Sequence, residues 1–121
     1  MSKTAILVLS EPNAGSEEAL GRVFNALGAA YEFKQAGEDV KVMFQGAGTR
    51  WPAELAKADH PAHALYEAVG DKIEGISCGC ADVFGAAPSG LDLIKDNPVP
   101  GTSGMISLVN LQKSGYNIIT Y

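Results

Sequence analysis

Positive charge is scarce and never clustered: nine lysines and arginines stand against fourteen aspartates and glutamates, for a formal net charge of −5. Binding a phosphate backbone needs grouped cations that displace counterions, so nucleic acid is not an expected partner. Long apolar runs are missing too, and nothing approaches the roughly 20 residues that span a bilayer. The run Ala5-Ile6-Leu7-Val8-Leu9 is soon followed by Glu11, Glu17 and Glu18 without a small-residue cleavage site, which reads as a strand and not as a targeting segment. A cytoplasmic location with no membrane attachment is expected. Nucleotide-binding signatures are absent, since no glycine triplet follows the first strand and no lysine stands in a phosphate-binding loop. Neither histidine follows a strand where it would meet a nucleophile, so no Ser-His-acid hydrolase can be assembled. No repeat, low-complexity tract or linker divides the chain.

What is present fits one core. A chain of 121 residues with 46% hydrophobic content supports a single domain over residues 1–121. The 19% charged content is somewhat low, and self-association would cover the surplus apolar surface.

Thr4 to Leu9 is an apolar, β-branched run, the pattern of a parallel strand covered on both faces. Ser16 with Glu17 and Glu18 predicts a helix start, and Leu20, Val23, Phe24, Leu27 and Tyr31 give one apolar face before Gly37 ends the helix. Val40 to Phe44 is a second strand. Gln45 to Thr49 reads as a loop leading to a short helix with Pro52 in its first turn. A helix restarting at Asp59-His60-Pro61 leads to a third strand, Ile73 to Ser77, and Cys78-Gly79-Cys80 passes into a short helix over Ala81 to Phe84. Ala87 to Gly104 is rich in Gly, Pro, Asn and Ser and reads as a lid or a subunit contact. A last helix from about Ser103 to Ser114 and a strand from Tyr116 to Thr120 follow. The alternation predicts an α/β fold of three layers: a parallel, Rossmann-like sheet of four to five strands, the fifth near Val99, with helices on both faces. Ligands in such sheets collect at the carboxyl ends of strands, here the loops opening at Ser10, Gln45 and Cys78.

Cys78 and Cys80 carry the chemistry. In a chain without a signal peptide, two cysteines suggest a reducing compartment where paired thiols are reactive or metal-binding. At a strand-to-helix junction, free backbone N–H groups favour the thiolate, and Gly79 admits close approach of another molecule. Three uses are open. One accessible thiolate can carry sulfur as a persulfide. Both thiols can form a strained, easily reduced bridge. Or the pair can join His60 and His63 around a metal, although the spacing matches zinc sites poorly.

The Gly46-Ala47-Gly48-Thr49-Arg50 stretch can cradle an anion through exposed N–H groups and the Arg50 guanidinium, or serve as a tight turn and cap. Asn13, Gln45, Gly46, Gly48, Arg50 and Gly79 therefore define a candidate pocket beside the thiols. Trp51, the single tryptophan, reads as an edge or interface anchor.

On the opening strand, the Val40-Lys41-Val42-Met43-Phe44-Gln45-Gly46-Ala47-Gly48 strand and loop, the strand leading to Cys78, and the closing Gly115-Tyr116-Asn117-Ile118-Ile119, the chain resembles the DsrE/DsrF-like family of sulfur-relay proteins. The resemblance spans nearly the whole chain. It implies a small parallel α/β fold, assembly into trimers or hexamers, donor and acceptor proteins as partners, no cofactor, and Cys78 as the persulfide position. Cys80 then stands as an auxiliary or resolving thiol. The function expected is a sulfur carrier or sulfurtransferase. The alternatives are a non-catalytic homo-oligomer binding a small molecule or anion, and the metal site.

Overall fold

The computed structural model describes residues 2–14, 17–87 and 90–121. It is a single α/β domain built on a five-stranded parallel sheet. The strands are β1 (Lys3–Val8), β2 (Asp39–Phe44), β3 (Ile73–Ser77), β4 (Leu93–Ile94) and β5 (Asn117–Thr120), in the order β4-β3-β2-β1-β5. Every pairing is parallel, so the carboxyl ends of β1, β2 and β3 open side by side at one edge. The fifth strand lies at Leu93–Ile94, not near Val99. The chain there holds an isolated antiparallel bridge between Asn97 and Met105, because Pro98 and Pro100 lack the N–H groups a ladder needs.

Alternation along β1 explains why it reads as continuously apolar. Ile6 and Val8 enter one core with Val42, Phe44 and Ile76, while Ala5 and Leu7 enter the other with Met43. The larger core is roofed by α1 (Glu17–Gln35), α2 (Trp51–Leu55) and α3 (His63–Ala68). The smaller is closed by Ile106 and by Leu111 of α5 (Leu108–Lys113). Helices thus cover both faces, thinly on the second. Each fully buried aliphatic or aromatic side chain contributes about 1.5–3 kcal/mol to this packing.

Several local expectations are corrected. The face that α1 buries runs through Ala19, Val23, Ala26, Leu27 and Ala30, whereas Phe24 and Tyr31 are 46% and 41% exposed. Small side chains let the helix lie close to the sheet, which turns the large aromatics to its flanks. Its expected cap, Ser16, lies outside the described residues. Trp51 is a core residue, 2% exposed, whose indole N–H donates to Ser10 Oγ at 3.4 Å. The final helix begins at Leu108, capped by Ser107 Oγ accepting from the Asn110 N–H. It cannot start at Ser103, because Gly104 holds a left-handed φ of 113° and Met105 is paired to Asn97.

Gly46–Arg50 is a 3₁₀ turn and not a loop. Gly48 in it lies against the end of β1: a Cβ there would stand 2.1 Å from the Val8 carbonyl oxygen. Backbone cannot step aside as a side chain would. Gly48→Ala is expected to lower stability by about 3 kcal/mol, read as an earlier thermal unfolding transition; an unchanged transition would contradict the close packing.

Candidate functional site

Cys78 is the first residue of α4 (Cys78–Phe84), which starts directly at the end of β3. Ser77 caps the helix, its Oγ accepting from the Cys80 N–H at 3.4 Å. The helix therefore starts at the first cysteine and not after the second. Both thiols are free and buried, Cys78 8% and Cys80 7% exposed.

The irregular segment after β4 supplies the cover. Asn97 and Met105 exchange two backbone hydrogen bonds of 2.9 Å, and the Thr102 hydroxyl donates to the Val99 carbonyl. The loop so closed is laid on the start of α4, where the Gly79 N–H donates to the Gly104 carbonyl at 2.7 Å. A Cβ on Gly79 would meet Thr102 Cβ at 3.0 Å and the Gly104 oxygen at 3.1 Å. Close approach at Gly79 is real, but the approaching chain is the protein's own. The Gly79 and Cys80 N–H groups are bonded within the chain, to the Gly104 carbonyl and to Ser77 Oγ, so they are not the free groups expected to favour a thiolate.

The same segment delivers Ser103, a residue the sequence reading did not single out. Its Oγ lies 3.2 Å from Cys78 Sγ and 2.7 Å from Asp82 Oδ2. Asp82 stands four residues beyond Cys78, on the same side of α4. A serine has one proton and a carboxylate only accepts, so the proton goes to Asp82 and Oγ offers a lone pair to the thiol S–H.

Cys80 is turned away. Residues two apart on a helix point about 200° apart, so the two sulfurs do not meet across the first turn. The resolving-thiol and dithiol readings need that turn unwound. The metal alternative fails on placement: His63 Nδ1 lies 2.8 Å from the Leu55 carbonyl, His60 Nδ1 accepts from the Ala62 N–H, and the His60 ring packs edge-on against Trp51. Among the described residues, no three His, Cys, Asp or Glu side chains converge to hold a metal ion.

The expected pocket is brought to one edge of the sheet but is not one pocket. Arg50 pairs with Glu11 at 2.7 Å, donates through Nε to the Phe84 carbonyl at 2.9 Å, and lies 5.8 Å from the Phe84 ring. It ties the exit of β1, the 3₁₀ turn and the end of α4 together through its Nε and Nη1. Gly48 is filled against β1 and Gly46 holds a left-handed φ of 60° to open the 3₁₀ turn. These positions serve the turn and not an anion cradle. Gln45 lines a hollow of about 450 Å³ with Asn97, Met105 and Ser107, and its Oε1 is enclosed without a partner among the described residues. Asn13 is exposed in the turn after β1, its backbone N–H donating to Glu11.

Residues 2–121 match the model of the DsrE/DsrF-like family, which covers the whole described chain. An uncharacterized protein of Methanocaldococcus jannaschii is 29% identical over 92 residues, 74% of this chain and 72% of that one. No helix among the described residues is long and apolar enough to cross a membrane.

The helical separation of the two sulfurs gives a direct expectation. A mild dithiol oxidant should leave both thiols of the folded protein titratable and close a Cys78–Cys80 bridge only after denaturation. Rapid loss of both thiols from the folded monomer would contradict the geometry.

Proposed function

The chain belongs to the DsrE/DsrF-like family, and from that premise we propose that it is a sulfur carrier or sulfurtransferase that holds sulfane sulfur as a persulfide on Cys78. The observation that carries this reading is the position of Cys78 at the junction of β3 and α4, its sulfur bonded to a single serine hydroxyl on a covering segment. The transfer is balanced without another reagent. The thiol attacks the outer sulfur of a donor R–S–SH, a new S–S bond forms on Cys78, the S–S bond of the donor breaks, and the donor leaves as R–SH. Cys78 is oxidised to the persulfide as the donor is reduced to the thiol. Passing the sulfur on reverses these steps with an acceptor thiol. Cys80, which faces elsewhere on the helix, is an auxiliary core thiol in this account.

A homo-oligomer belongs to the same proposal. Val83 on α4 is 68% exposed and Val109 on α5 is 58% exposed, apolar surface that contact between subunits would cover. A trimer or hexamer is the expected assembly, and a sulfur donor and an acceptor protein are its expected partners. The rival reading, a non-catalytic anion-binding protein, is weakened by the engagement of Arg50 with Glu11 and Phe84.

Intact mass after incubation with a small-molecule persulfide tests the carrier. One added sulfur, removable by a reductant, is expected for the native chain and for Cys80→Ser and should be lost in Cys78→Ser. Sulfur gained equally by Cys78→Ser, or by no form, would overturn the assignment.

A further inference from the structure

We propose that Cys78, Ser103 and Asp82 form a proton relay, from Sγ–H to Oγ and from Oγ–H to the carboxylate, through which Asp82 draws off the thiol proton as Cys78 attacks. The proposal rests on the persulfide reading above and adds two residues to it. Cys78 and Asp82 share a face of α4 because they are four residues apart, and Ser103, from a segment 25 positions along the chain from Cys78, fills the space between them. Ser103 Oγ lies 3.2 Å from Cys78 Sγ and 2.7 Å from Asp82 Oδ2, and its one proton cannot serve both contacts. The shorter contact is to the group that can only accept, which leaves the serine oxygen to receive from sulfur.

Each member has a separate task. Ser103 touches the reacting sulfur and is the catalytic hydroxyl. Asp82 acts through it and is a positioning residue and proton sink, exposed to solvent at its far side. The proton to be moved is the one on Cys78 Sγ. It moves as the new sulfur bond forms, which is the condition for general-base assistance.

The full step balances. The Cys78 S–H bond breaks and its proton enters Ser103 Oγ while the proton of Ser103 passes to Asp82. The sulfur electron pair forms the bond to the outer sulfur of R–S–SH, and the S–S bond of the donor breaks. The departing R–S⁻ takes up the proton held at Asp82, restoring the carboxylate. The covering segment is therefore part of the reactive apparatus, since it brings the only hydroxyl bonded to Cys78 Sγ among the described residues.

The test uses iodoacetamide at about pH 6.5, between the ordinary carboxylate and thiol values, with alkylation of Cys78 followed by peptide mapping. This probe needs no sulfur donor, so it reads the relay whether or not the protein gains sulfur. Native protein should alkylate with a normal solvent deuterium isotope effect. Asp82→Asn and Ser103→Ala should each be slower by about tenfold or more and lose that isotope effect, and the double variant should be no slower than the slower single one. Ser103→Thr should restore most of the rate. Asp82 is exposed and its replacement isosteric, so that variant carries the test even if Ser103→Ala loosens the cover. Alkylation of Asp82→Asn at the native rate or faster would overturn the relay and leave the carboxylate a mere neighbour that repels thiolate. A faster Ser103→Ala would equally overturn it and leave Ser103 only a cap. An intact relay with no sulfur uptake would instead sink the persulfide reading.

Discussion

One hydrogen bond between two backbones, from the Gly79 N–H to the Gly104 carbonyl at 2.7 Å, joins the two halves of this molecule that matter. It exists because position 79 has no side chain, since a Cβ there would press on Thr102 and on the Gly104 oxygen itself. On one side of the bond lies the first turn of α4 with both thiols. On the other lies the loop closed by Asn97 and Met105, which continues through Ile106 into the second core. The segment that covers Cys78 is thereby pinned at both ends, and Ser103 is held against the sulfur by the fold and not by its own side chain alone.

Charge plays a similar part at the neighbouring strand exits. The Arg50 guanidinium answers Glu11 after β1 and the terminal carbonyl of α4 after β3. An ion pair between side chains 35% and 27% exposed is still partly screened by solvent and is worth little by itself. Its two extra connections, to a helix-end carbonyl and to the Phe84 ring, make it a brace between elements distant in sequence. Arg50 is thus spent on architecture, while the thiol faces a hydroxyl that is itself bonded to a carboxylate. Chemistry that moves a proton off sulfur suits these surroundings better than capture of an anion.

The sheet was legible in the sequence because β1, β2 and β3 are apolar enough to announce burial on both sides, and β3 runs from Ile73 to Ser77 as its composition implies. Cys78 at the exit of β3 was legible for the same reason. Orientation was not. The apolar pattern of α1 points through Phe24 and Tyr31, because side-chain size dominates such patterns, whereas the sheet accepts Ala26 and Ala30 for their closeness. Arg50 beside two glycines looked like an anion cradle, and nothing local reveals that Glu11 lies across from it. Asp82 was findable, as an acid four positions along a helix from the thiol. Ser103 was not, because it reaches Cys78 only through the closure of an irregular loop.

A carrier must give up again the sulfur bound to Cys78, and cyanolysis measures this most directly. Protein loaded from a persulfide, freed of donor and treated with cyanide should release thiocyanate in stoichiometric amount as the Cys78 thiol returns, since cyanide takes the outer sulfur and leaves the inner one on the chain. Loaded protein that yields no thiocyanate, or that recovers a thiol only at Cys80, would contradict a carrier centred on Cys78.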